Sequence, residues 1–183
     1  MQTNFIQTAF NHFIMISYQT LHDKFDFDGD KITKFYNSMH GVLNDYALGR
    51  LNTQEMLIYS VKIKVDCHGW VKSLPIRWKY ALVGFKANQG KGMKAIMHIE
   101  AALLVSDLIA ISVLKEEFGL VKEELDKFNE WQRYYIDSYV RGYLNDEMIN
   151  ELMIEECHID MFDYMDKASR GEVNDGQNES NIS

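Results

Sequence analysis

The chain has 183 residues, 46% of them apolar and 13% aromatic, enough to bury a core and too many for a disordered polypeptide. Two cysteines and an amino-terminal MQTNFIQTAFNHF without a basic stretch leading into an apolar run point to a reducing, cytoplasmic protein, and the longest apolar stretch, Ala101 to Leu114, broken by Ser106, Asp107 and Ser112, is too short for a bilayer and reads as a core helix. The net charge of -8 is uneven: between Lys62 and His98 stand seven Lys and one Arg against a single acid, Asp66, so that window carries +7 and the remainder -15.

In chain order, an apolar first helix is followed by a second whose Ile32, Phe35, Met39, Val42 and Tyr46 step by three and four along one face. Gly49 then sits where a helix exit needs positive φ, and Asn52 where a side-chain oxygen caps the next helix. After the cap, LIYSVKIKV alternates apolar residues with lysines, a pattern compatible with a strand, and the copy ends in Asp66-Cys67-His68. A basic, aromatic connector follows, GWVKSLPIRWKYALVGFKANQGKGMK, in which Ser73 is expected to cap a helix with Pro75 in its first turn and Asn88 to Gly92 to end it.

The same sentence is then written again. Residues 5–52 align with 98–145 without a gap, with 11 of 48 positions identical, where chance would give about three. The second copy carries Leu125, Phe128, Tyr135 and Tyr139, interrupted by Gln132, then Gly142, Asn145 and a closing Glu156-Cys157-His158. This recurrence favours a helix for the ambiguous LIYSVKIKV as well. The expected fold is therefore all-α: repeat 1 over 1–68, a connector helix over 69–97, repeat 2 over 98–168, and a disordered tail over 169–183, the two three-helix units packing about a pseudo-twofold axis.

The words LHDKFDFDGDKITKFY and VLKEEFGLVKEELDKFNEW, followed by the Tyr-x-x-Gly-x-Leu-Asn step and Glu-Glu-Cys-His-Ile-Asp, resemble small helical proteins from the early regions of phages and prophages of Gram-positive bacteria. The resemblance spans roughly 5–68 and 98–160, so the chain looks like a fused duplicate of such a protein. It departs from their pattern at the turn Phe27-Asp28-Gly29, which is Leu120-Val121-Lys122 in the second copy, and in an acidic second helix of that copy. What the resemblance implies is a viral accessory protein of the host cytoplasm; it implies no activity.

Several stretches invite chemistry. DFDGD, Asp26 to Asp30, alternates acids like a calcium loop but has Lys31 and Asn37 where that loop needs Gly and Glu, so a helix N-cap is the simpler reading. Glu155 and His158 form a single Glu-x-x-His where a di-iron site needs two, and Glu123, Glu124, Glu147, Glu151, Glu155 and Asp160 lack the spacing of a magnesium-dependent nucleotide pyrophosphohydrolase. Cys67, His68, Cys157 and His158 would make a zinc site only if the repeat brought them together; buried cysteines at the ends of equivalent helices are the simpler reading. GFKANQGKG is not a phosphate-binding loop, having one residue too many and Gly92 in place of Ser or Thr. His12, His22 and His40 have no acid and nucleophile at recognisable spacing.

No catalytic residue, metal or cofactor is thus assigned. The site expected to bind a partner or nucleic acid is the connector: Lys72, Arg77, Trp78, Lys79, Lys86, Lys91 and Lys94, cations interleaved with aromatics that would neutralise phosphates and stack on bases. The competing reading is an amphipathic linker with core aromatics and solvated lysines. Asp107, alone in an apolar helix, needs a buried partner such as Arg77. The expected function is non-enzymatic binding of a host or phage protein or nucleoprotein complex, inhibiting a host defence or nucleic-acid-processing complex. A nucleic-acid-binding accessory of phage replication and a metal-dependent nucleotide hydrolase are the alternatives. A homodimer is expected from the wealth of aromatic residues and ten Met.

Overall fold

The structure, a computed structural model, describes the backbone of residues 2–83 and 93–169 and the side chains of 8–83, 95–163 and 165–166. Among these residues every regular element is an α-helix: α1 (Gln2–Phe25), α2 (Gly29–Ala47), α3 (Thr53–Lys62), α4 (Cys67–Ser73), α5 (Ile76–Ala81), α6 (Met93–Phe118), α7 (Lys122–Val140), α8 (Asp146–Cys157) and α9 (Met161–Ser169). The fold is all-α. The tail expected from Ser169 onward falls, beyond Ser169 itself, outside the described residues.

Helix boundaries follow local chemistry that recurs 93 residues later. α1 stops at Asp26 in the left-handed region (φ 53) with the Phe27 N–H donating to the Leu21 carbonyl at 3.2 Å; α6 stops at Gly119 (φ 69) with the Leu120 N–H donating to Leu114 at 3.2 Å. The Asp28 carboxylate accepts the Lys31 N–H at 3.0 Å and starts α2, so DFDGD is a helix stop followed by a helix start. Gly49 and Gly142 have φ of 70 and 76, as the exits of α2 and α7 require. The Asn52 and Asn145 side chains accept the Glu55 and Met148 N–H groups and open α3 and α8.

Packing crosses the two copies. α1 lies along α6 as a central pair; α2, α3, α4 and α5 pack on α6, while α7 and α8 pack on α1. Residues 1–68 therefore close their core with helices from the second half, and the second half with α1. One buried cluster joins Phe13, Tyr18 and Phe35 to Ile109, Phe128 and Met153; another joins Ile16, Val71 and Trp78 to Leu103 and Ile136. Each such side chain contributes about 1.5–3 kcal/mol relative to exposure, and most of that gain lies between the copies. Met15, Met39, Met56, Met153, Met161, Tyr18 and Tyr36 are all buried within one chain. Met97, Met148, Trp131, Tyr134, Tyr143 and Phe162 stay exposed, so only part of the surplus from which a homodimer is expected is taken up inside one chain.

Three expectations need correction. The apolar run of α6 is not short: Ala95–Phe118 is long and apolar enough to cross a membrane by length and composition, but most of it is buried in the bundle as its central helix. The connector is not one helix capped by Ser73. Ser73 ends α4, its hydroxyl donating to the Trp70 carbonyl at 2.7 Å, and α5 begins after Pro75 without a side-chain cap. Nor do the Cys-His pairs end equivalent helices, because Cys67 opens α4 whereas Cys157 closes α8.

Candidate partner-binding surface

The expected connector site divides between core and surface. Trp78 is 8% exposed, packed in the second core cluster with the Arg133 guanidinium 5.9 Å from its ring centre. Lys79 is turned inward, 3% exposed, its Nζ donating to Glu100 at 2.6 Å and to the Lys72 carbonyl at 3.3 Å. Neither belongs to a free binding surface, a correction with a plain cause: α5 is short, and its inner face must seal α6. The Trp70 indole likewise donates to the Asn129 carbonyl at 2.9 Å. Lys86, Lys91 and the sequence GFKANQGKG lie outside the described residues, and Lys94 stands in the first turn of α6.

Lys72 and Arg77 are exposed, as are Lys62 and Lys64, so exposed cations follow one another along α3, α4 and α5, which all pack on α6, a basic strip in chain order. Lys64, just past the end of α3, borders a shallow depression lined also by Leu57, Val61, Val65, Asp66 and His68, where α3 gives way to α4. Ile58 (63% exposed), Val61 (74%) and Ile76 (54%) stand among these cations. Among the described residues Lys62, Lys64, Lys72 and Arg77 form no ion pair, and Asp66, the one acid between Lys62 and His98 in the sequence, accepts the Gly69 N–H at 2.8 Å. Lys64 also adopts the left-handed region (φ 62), a conformation glycine would hold more cheaply. Alternating apolar and lysine residues in LIYSVKIKV were the available sign of this surface, since α3 buries Met56 and Ser60 and leaves Ile58 and Val61 outside.

Compared with known proteins, the chain matches no family model, no curated protein and no solved structure. Its chemistry has to be read from its own geometry.

Among the described residues no three His, Cys, Asp or Glu side chains gather as metal ligands. Asp160 accepts the Phe162 N–H at 3.0 Å and the Asp163 N–H at 3.2 Å at the start of α9, and Glu124 accepts the Val121 N–H at 2.8 Å at the start of α7, so two of the candidate acids are helix caps. The structure does join residues whose sequence separation hid them. His22 Nε2 lies 2.6 Å from Glu156 Oε2, and its Nδ1 3.6 Å from the Cys157 sulfur. That order resembles a nucleophile, base and orienting acid, yet Nδ1 also lies 3.0 Å from the Phe27 carbonyl, and burial, then the charges of Glu156 and Asp28, push the Cys157 thiol up. The sulfur stays a protonated, buried thiol rather than a nucleophile.

Cys67 faces Asp107 instead. Asp107 is fully buried on α6, and burial pushes its carboxyl up to about 7 even though the nearby Cys67 thiol works to lower it. Neither carboxyl oxygen makes a well-formed hydrogen bond, so the thiol is a neighbour rather than a full partner, and the expected Arg77 is exposed elsewhere.

Proposed function

We propose that the protein is a non-enzymatic accessory protein of phage type, which docks by its basic strip on an acidic surface of a host or phage protein and so inhibits a host defence or nucleic-acid-processing complex. The observation that carries this reading is the set of unpaired, exposed Lys62, Lys64, Lys72 and Arg77 standing beside exposed Ile58, Val61 and Ile76 in an acidic chain. Exposed apolar side chains beside unpaired cations suit a protein interface, where charge steers the encounter and the apolar centre holds it. A protein partner is favoured over nucleic acid because Trp70 and Trp78 are committed to internal contacts, which leaves the strip's described part without their rings for base stacking.

The test is capture from phage-infected host cells with the wild-type chain and with K62E/K72E/R77E. Exposed charges contribute little to stability, so the variant should keep its helicity and thermal unfolding and lose the partner. A partner retained at full strength by the triple variant would refute the assignment. Salt-sensitive binding of DNA or RNA would move the reading to the replication accessory, and divalent-dependent nucleotide turnover to the hydrolase.

A further inference from the structure

The two Asn-capped helices, α3 and α8, carry complementary outer faces. Counted from their caps Asn52 and Asn145, the same helical line reads Gln54, Ile58, Val61 and Lys62 on α3 and Glu147, Glu151, Ile154 and Glu155 on α8, and all eight residues are exposed. Each line has an aliphatic residue at the same step, Val61 (74% exposed) and Ile154 (42% exposed), neither of which a single molecule covers. The charges beside them are opposite. Lys62 and Lys64 are followed in the chain by Lys72 and Arg77, whereas residues 142–166, which include α8 and most of α9, hold eight Asp and Glu and no Lys or Arg. α3 packs on α6 and α8 on α1, so the two faces are held by different central helices.

We propose that the basic strip of one molecule docks on the acidic α8 face of a second copy, head to tail. The inference rests on the strip being a docking surface, and names a second copy of this chain as an occupant. Ile58 and Val61 would cover Ile154 and Met148, which is 47% exposed, while Lys62, Lys64 and Lys72 face Glu147, Glu151 and Glu155. The two faces differ, so each bound pair leaves one basic and one acidic face free, and the association is heterologous and grows with concentration. Two short helices bury less than the roughly 1,200 Å² of a stable complex, so it is reversible and weakens as salt screens the charges. A partner protein with an acidic surface then competes with the second copy for the strip.

Light scattering on the full chain across concentration and salt, with two charge-reversed variants, decides it. At low salt the wild type should grow in mass with concentration and return to monomer in high salt. K62E/K72E/R77E and E147K/E151K/E155K should each stay monomeric, because each then carries two faces of one sign. An equimolar mixture should associate again, since the native strip of E147K/E151K/E155K meets the native α8 face of K62E/K72E/R77E, and the two reversed faces are complementary in turn. A wild type monomeric at all concentrations, growth insensitive to salt, or a mixture that fails to associate would overturn the inference. Capture of the partner by E147K/E151K/E155K, which keeps the strip, separates the two readings: retained capture without self-association sinks only the second-copy proposal.

Discussion

His22 Nε2 lies 2.6 Å from the Glu156 carboxylate, while the other nitrogen of the ring faces the Phe27 carbonyl at 3.0 Å. His12 repeats this ten residues earlier on α1, with Nε2 3.3 Å from Asp146 and Nδ1 2.8 Å from the Leu82 carbonyl. Each imidazole thus sits between two acceptors, and only the doubly protonated ring satisfies both. Burial alone would lower both pKa values, but the carboxylate and carbonyl partners outweigh it and raise them. Asp23 adds to the pull on His22, and Tyr139 shares Asp146 with His12. The pair pins α1 to both ends of α8.

A raised histidine pKa contributes stability that is complete below about pH 6.5 and is lost as pH rises through the folded value. We expect His12→Gln and His22→Gln to cost about 1 kcal/mol each at pH 6, discounted for the water both pairs still meet, and almost nothing at pH 9. Chemical denaturation at the two pH values measures it. Equal losses at both would mean that the rings act by packing alone. His40, held neutral by burial with its pKa pushed down to about 4, works in the opposite sense and limits stability on the acid side.

Asp107 adds a second slope of the same sign. Its carboxyl is favoured protonated in the fold and ionises near pH 4 when unfolded, so stability falls from about pH 4 to about pH 7 and then levels. Asp107→Asn keeps the shape and removes the ionisation. We expect it to stabilise by on the order of 2–4 kcal/mol at pH 8 and by little at pH 4. An Asn variant no more stable than wild type at pH 8 would show that Asp107 meets its need for a partner after all.

The all-α class and most helix boundaries were legible because their causes are local: Asp28, Asn52 and Asn145 cap the three or so residues that follow them, and Gly49 and Gly142 set a single φ. LIYSVKIKV, ambiguous by its own pattern and assigned to helix by the repeat, is helical through Lys62 behind the Asn52 cap. What no periodicity reveals is pairing over long separations. Gln132, an interruption in an apolar stripe, is fully buried and donates to Ser17 Oγ at 2.6 Å; His12 and His22 meet α8 more than a hundred residues away. The candidate surface was half legible for that reason. Composition located the excess of cations, but Lys79 and Arg77 are two residues apart, and only packing decides which of them faces α6.

Gly29 is required for a reason unlike that of the exit glycines. A Cβ there would stand 2.4 Å from the Cys157 carbonyl oxygen, because the start of α2 abuts the end of α8, whereas a Cβ at Gly49 meets nothing within 4 Å. Gly29→Ala should cost on the order of 1–3 kcal/mol through forced separation of the helices, and Gly49→Ala about 1 kcal/mol through φ alone. Asparagine discriminates the two causes. It tolerates the left-handed region and should recover much of the loss at Gly49, but worsen it at Gly29, as thermal unfolding of the four variants would show.

Lys79 and Glu100 form a pair with unequal burial: the lysine side chain is 4% exposed and the glutamate 30%. Removing a partner from a buried pair costs mainly what the stranded charge costs, so the two truncations should differ. Glu100→Ala leaves an ammonium inside α5 and α6 with the Lys72 carbonyl as its remaining acceptor, and should destabilise by about 3 kcal/mol. Lys79→Met leaves a carboxylate that water reaches and fills the lysine's channel with apolar volume, and should cost under about 1.5 kcal/mol. The double variant Lys79→Met with Glu100→Ala should then be more stable than Glu100→Ala alone. If instead Lys79→Met is the more damaging change, or if it abolishes partner capture while leaving unfolding untouched, Lys79 belongs to the binding surface and not to the seal between α5 and α6.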